Sequence, residues 1–283
     1  MTIEDIILDN DRRGITALRP HLPANFCDQA AELVLDNPGT AFIVTGFQIL
    51  TAGATETDGP PGAVAIGKAL QNIGYKVVYV TDRYTEPAMR PIAGGTELVD
   101  FPIAGEAESK AFTKQLLAKH KPSVIIAIER CGFTDEGKFR NMGGKDISEF
   151  NAKTDYLFGS GVPSVGIGDG GNEIGMGNLA KVVDETESLV EKPCITKASK
   201  LVIASVSNWG GYGLAASLSK LKKKNLLMSV QDEQALLKLF VDSGAVDGMS
   251  GKHEYKADGF TMEENSAVVA RLHDYLASQG IRK

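Results

Sequence analysis

Six short runs, Ala41–Val44, Lys76–Thr81, Glu97–Phe101, Ser123–Ile128, Ser164–Ile167 and Leu201–Val206, are mostly apolar throughout rather than on alternate residues. A strand that is apolar on both sides has to be covered on both faces, as in a parallel sheet held between helices. Segments with helical spacing lie between the runs, over Ala63–Asn72, Glu106–Lys119, Ile147–Phe158, Trp209–Lys222 and Glu233–Ser243. This alternation, with right-handed crossovers, predicts an α/β fold: a mostly parallel, doubly wound (Rossmann-like) three-layer sheet with helices on both faces. Thr261 and Glu264 make a capping box for a last helix reaching about Ser278. Ile3–Asp36 reads as two helices broken at Pro20 and Pro23. Residues 1–39 are therefore expected to form a helical appendage, and 40–283 a single α/β domain.

The remaining bulk features exclude more than they identify. The formal net charge is −6, and the one basic run, Lys220–Lys224, follows a helical pattern where the helix dipole favours cations. No clustered basic surface for nucleic acid is expected. Cys27, Cys131 and Cys194 are far apart and lack CxxC spacing, which fits a reducing compartment. The acidic Met1–Asn10 has no apolar core, and no apolar run approaches the ~20 residues of a membrane helix. The expectation is a cytoplasmic protein with no membrane segment, its oligomeric state left open. No histidine pair has HxxxH spacing and there is no GxSxG, so neither a zinc hydrolase nor a nucleophile elbow is expected.

In doubly wound sheets ligands bind beyond the carboxyl ends of the strands, so the loops that follow the strands matter most. Thr51–Gly62 places Asp58 before Pro60–Pro61, where it is expected to cap the next helix. Glu129 and Arg130 end an apolar strand, and Arg140 follows. Each arginine offers a fork for a carboxylate. Ile167–Asn178 holds five glycines in twelve residues, with Asp169, Asn172 and Glu173 as its only possible acids, bases or metal ligands. Asp169 and Glu173 would face the same way on a helix opening after Gly171. In Val206–Ala216, Asn208 is positioned to cap a helix or orient a polar ligand, while Trp209 walls the pocket or packs. In Ala245–Gly259, Asp247 and Asp258 each precede a glycine, as turn signals do.

Together, GATETDGPPGA (Gly53–Ala63), AIER (Ala127–Arg130), IGDGGNEIGMGN (Ile167–Asn178) and VSNWGGYGLAA (Val206–Ala216) resemble the D-glutamate cyclase-like C-terminal domain family. The resemblance extends from about Thr40 to about Gly259. It implies cyclisation of D-glutamate to 5-oxo-D-proline with loss of water. Larger cyclases of this kind carry an additional N-terminal hydro-lyase-like domain, in mitochondria, for which no room precedes Thr40. On this reading Asp169 and Glu173 are the acid and base, with Glu129 an alternative base. Arg130 or Arg140 binds a substrate carboxylate, and the amides of Gly170 and Gly171 hold the oxyanion, beside Asn172, Asn208 and Asp58. Asp169, Glu173 and Asp247 are alternative ligands for magnesium or manganese. Two other readings stand beside the lyase: an enzyme on another carboxylated or phosphorylated metabolite, and a ligand-binding or regulatory module that needs a separate catalytic partner.

Overall fold

A computed structural model describes residues 1–282. Six parallel strands form the centre: β1 (Thr40–Thr45), β2 (Lys76–Thr81), β3 (Glu97–Asp100), β4 (Val124–Ile128), β5 (Ser164–Gly168) and β6 (Lys200–Ile203). Their spatial order is β3-β2-β1-β4-β5-β6. The chain winds outward from β1 in one direction, then crosses back to β4 and winds in the other. A crevice opens at the carboxyl ends of β1 and β4, where the order reverses. The fold is the three-layer α/β arrangement expected from the alternation.

The two faces of the sheet show why the strands are apolar throughout. Ala41, Ile43, Ile126 and Ile128 point into one core with the helices α1 (Ile3–Ile7), α2 (Phe26–Asp36), α3 (Pro60–Gln71) and α8 (Ser207–Lys222). Phe42, Val44, Ile125 and Val80 point the other way, against α5 (Glu106–His120) and Leu157 of α6 (Asp155–Phe158). Neighbouring residues of one strand thus serve two different cores.

Several elements differ from expectation. The chain forms α4 (Glu86–Ile92), which the prolines at 87 and 91 disguise, and a short α7 (Ala180–Asp184). Ile147–Phe158 is no continuous helix: a 3-10 turn at Ser148–Phe150 is followed by extended backbone at Asn151 and then α6. The backbone is diverted there because the Ala152 carbonyl accepts from Arg130 and its amide donates to Asp82. The opening segment breaks after Ile7, and Pro20 lies inside a 3-10 stretch, Ile15–His21. Ile3, Ile6 and Ile7 are buried in the main core, and the Ile7 carbonyl accepts from Ser205. No helix among the described residues is long and apolar enough to cross a membrane.

The long helices α9 (Val230–Asp242) and α10 (Met262–Ser278) finish the α8 side. Glu233 is buried between them and accepts hydrogen bonds from Ser266 Oγ and Tyr212 Oη. Burial pushes its carboxyl up to about 7 against those two donors. An acid whose folded value is raised holds its proton in the folded state after the unfolded chain has lost it. The stability that Glu233 contributes is therefore greatest below about pH 4.5, falls as the pH climbs to about 7, and is gone above. Glu233→Gln should remove this slope, worth on the order of 2 kcal/mol, from urea-unfolding free energies measured between pH 5 and 8. A variant with the same slope as wild type would contradict the assignment.

Candidate active site

The site begins with two helix ends that cap each other. Asp58 precedes α3, yet its Oδ2 accepts from the amide of Ser207 (2.8 Å) and its Oδ1 from the amide of Asn208 (2.7 Å), both in the first turn of α8. In return Asn208 Oδ1 accepts from the amides of Gly62 (2.7 Å) and Gly59 (3.0 Å) at the start of α3, and its Nδ2 donates to the Thr57 carbonyl (3.0 Å). The caps expected within each helix are thus largely exchanged between helices, while Asp58 Oδ1 also accepts from the Gly59 amide (2.9 Å) at the start of its own helix. The exchange requires the two ends to touch. A Cβ added to Gly211 would stand 3.1 Å from the Cα of Gly62 and push the two helix starts a few tenths of an ångström apart, so glycines suit this approach. Donors at both helix starts then face acceptors instead of water.

Three carboxylates gather at this junction. Glu129 follows β4 with a left-handed backbone (φ 42°), a conformation that a non-glycine residue holds only when its surroundings enforce it. Its Oε2 accepts from Ser207 Oγ (2.6 Å). Asp169, after β5, accepts from the Ser207 amide (3.1 Å) through Oδ2 and from the Arg13 guanidinium through Oδ1. One oxygen from each of Asp58, Glu129 and Asp169 lies within 4.8 Å of the others. Such hard oxygens are the kind that could hold a divalent ion. Only Glu129 Oε1, among the six oxygens, has no donor among the described residues.

Crowding of like charges in a buried place favours the protonated forms. Burial, then Asp258, pushes Asp58 up to about 7. Burial, then the nearby Glu173 and Asp58, holds the Glu129 carboxyl well above the usual range. Asp169 is raised by burial although Arg13 opposes it. Arg13 also pairs with Asp258 (2.7 Å). Burial works against its charge, but Asp169 and Asp258 more than offset that and keep the guanidinium charged.

A cavity of about 420 Å³ opens over the cluster, and Arg13, Glu56, Glu129, Asn172 and Asp258 line it. Asp58 and Asp169 lie behind Glu129 rather than in the wall. A larger recess of about 640 Å³ sits against α5 and α6, and its one carboxylate, Asp155, is bound by the Phe133 amide and Thr196 Oγ1. The clustered carboxylates and the Arg13 guanidinium lie at the smaller cavity, which makes it the candidate site.

Residues 3–273 match the family model described as D-glutamate cyclase-like, C-terminal. The chain belongs to this family. It is similar to the human protein named D-glutamate cyclase, mitochondrial, with 29% identity over 293 residues. That match covers 88% of this chain and 48% of the relative, so the chain spans about half the relative's length. The matched region includes α1, α2 and the Arg13 segment, all of which precede the motifs that carry the resemblance.

In this member of the family the expected site residues divide into two groups. Asp58, Glu129, Asp169 and Asn208 lie together. Glu173 does not share a helix with Asp169. Its carboxylate turns back on its own loop and accepts from the amides of Asp169 (3.1 Å), Gly170 (2.7 Å) and Gly171 (2.7 Å). Those glycine amides, expected to hold an oxyanion, are thereby occupied. Arg130 is fully buried, paired with Asp82 (2.6 Å) and donating to the carbonyls of Gly46 and Ala152, so it ties loops together. Arg140 is spent on Glu136 and the Gly144 carbonyl. Asn172 lines the cavity and donates to the Arg140 carbonyl. Asp247 accepts from the amides of Ser250 and Gly259, outside the carboxylate triad. Trp209 packs on Phe260 and donates to Asn265.

Arg13, Glu56, Ser207 and Asp258 belong to the site without having been singled out as site residues from the sequence. Asp258 carried only a turn signal and Glu56 only a negative charge. Arg13 carried none, because the Asp11 carboxylate that folds its turn by accepting from Arg13, Gly14 and Thr16 looks like any polar loop residue. Asn208→Ala strips the Gly62 amide and the Thr57 carbonyl of their partners, leaves the Gly59 amide only Asp58 Oδ1, and should lower the unfolding free energy by about 1–3 kcal/mol in urea titrations. A variant as stable as wild type would mean that the exchanged caps do not hold α3 to α8.

Proposed function

We propose that the chain carries a hydro-lyase site that closes D-glutamate into 5-oxo-D-proline and water. The observation that carries the reading is Glu129: a carboxyl of raised proton affinity in the wall of a cavity whose opposite charge is the Arg13 guanidinium. Membership of the D-glutamate cyclase-like family and the similarity to a protein of that name support the choice of substrate.

The proton balance of the reaction suits such a group. The α-nitrogen must give up two protons before it becomes an amide, and the departing γ-oxygen must gain two to leave as water. A carboxyl that accepts from nitrogen and donates to oxygen closes this balance without drawing protons from solvent. Glu129 takes that part. Burial, Glu173 and Asp58 raise its proton affinity, and Ser207 Oγ fixes its orientation. A γ-carboxylate is a poor electrophile until its charge is neutralised, and Arg13, which gives one N–H to Asp169 and one to Asp258, keeps further N–H donors for that part. By donor type, Asp58, Glu129 and Asp169 would also fit magnesium or manganese, which when bound supplies the same neutralisation. Glu173 shapes the loop that presents Asp169. Ring closure is intramolecular even in the free substrate, so holding the chain bent removes only the torsional freedom of the substrate's own chain.

One observation favours a second reading: the chain spans 48% of its human relative, which leaves room for a binding module that works with a separate catalytic partner. Turnover separates the two. Purified protein should form 5-oxoproline from D-glutamate and not from L-glutamate, followed by proton NMR. Glu129→Gln should lower kcat by about 100-fold or more, and Arg13→Ala should both lower kcat and raise KM for D-glutamate. D-glutamate that raises the melting temperature of an inactive wild type would select the binding module instead.

A further inference from the structure

We propose that Glu56 and Gln48 form the seat of the ligand's ammonium group, so that the cavity selects amino-acid zwitterions over dicarboxylates that lack the amine. The proposal rests on the reading above, that the cavity takes an amino acid.

Glu56 is held rigidly. Its amide donates to the Phe47 carbonyl (2.9 Å), and its neighbours Thr55 and Thr57 exchange backbone hydrogen bonds with Val246. Its side chain lies in the cavity wall, and the residue is 6% exposed. Yet the carboxylate has no hydrogen bond or ion pair among the described residues, because the neighbouring Arg13 guanidinium is taken by Asp169 and Asp258. Gln48 lies in the same wall, directly across from Thr55 in a two-stranded ribbon formed by Gln48–Ile49 and Ala54–Thr55. It is 4% exposed, and its Oε1 is likewise without a partner. Buried acceptors left unpaired are costly, and a fold that keeps two of them in one wall is built for a donor from outside.

The chemistry of that donor follows from the wall. An ammonium group has three N–H donors and a positive charge, and it suits a carboxylate beside a neutral carbonyl. A ligand carboxylate there would meet Glu56 and Asp258, and repulsion sends it toward Arg13. Gly248 supports this division. A Cβ at that position would stand 2.3 Å from Glu56 Oε2 and 3.4 Å from Asp258 Oδ1, so bare backbone leaves the Glu56 carboxylate its place. Gly248 has no left-handed backbone, so alanine is compatible with its conformation and acts by that contact alone.

Calorimetric titration of the full chain tests the proposal, carried out in a Glu129→Gln background so that D-glutamate is held and not converted. Glutarate, the same dicarboxylate without the amine, is the comparison ligand. D-glutamate should bind at least about tenfold more tightly than glutarate. Adding Glu56→Gln or Gly248→Ala should weaken D-glutamate at least about tenfold and leave glutarate within about twofold. Equal loss of both ligands, or D-glutamate affinity unchanged by both substitutions, would overturn the ammonium seat while leaving the cyclase reading intact. A parent that binds neither ligand would overturn both.

Discussion

The site depends on the exchange of caps between α3 and α8. Each helix starts with unpaired amide groups, and each is satisfied by a side chain that belongs to the other, Asp58 for α8 and Asn208 for α3. The backbone contact of Gly62 with Gly211 makes the exchange sterically feasible. Two helix starts, with their partial positive charge, are thereby aimed at one point beyond the sheet. That point is where β4 and β5 end, and where Glu129 and Asp169 leave the strands. Ser207 completes the junction, since its amide serves both Asp58 and Asp169 while its hydroxyl serves Glu129. Scaffold and site share the same hydrogen bonds.

The electrostatics follow from this geometry. Glu56, Asp58, Glu129, Asp169 and Asp258 crowd together, with the Arg13 guanidinium paired among them. Burial penalises the charge of each carboxylate whose value is raised, and the neighbours deepen the effect. An excess of buried acid is a poor scaffold for an anion and a good one for a ligand that brings its own positive charge. It also keeps protons available near neutral pH, which is what a dehydration at a carboxyl group requires.

Much of the architecture was legible from local pattern, because strands apolar on both sides and helices between them leave little choice of sheet. The loops of the candidate site were legible too: Asp58, Glu129, Asp169 and Asn208 all stand out as polar residues in glycine-bearing segments that follow strands. What local pattern misled about was pairing. Asp58 and Asn208 are 150 residues apart, and nothing within either motif tells which helix each will cap. Glu173 reads as a catalytic acid four residues from Asp169, but folding back onto three amides satisfies its charge more cheaply than exposing it to a cavity. Arg130 reads as a ligand fork at a strand end, whereas Asp82 and two carbonyls claim it. Arg13 was hidden for the opposite reason: it reaches Asp169 across 156 residues from a segment with no regular pattern.

A crystal structure of the Glu129→Gln protein soaked with D-glutamate tests the central claim most directly. The ligand should lie in the cavity beneath Arg13, within hydrogen-bonding reach of residue 129 and with its γ-carboxyl toward the guanidinium. Density for D-glutamate in the recess between α5 and α6, with the Arg13 cavity holding none, would contradict the account.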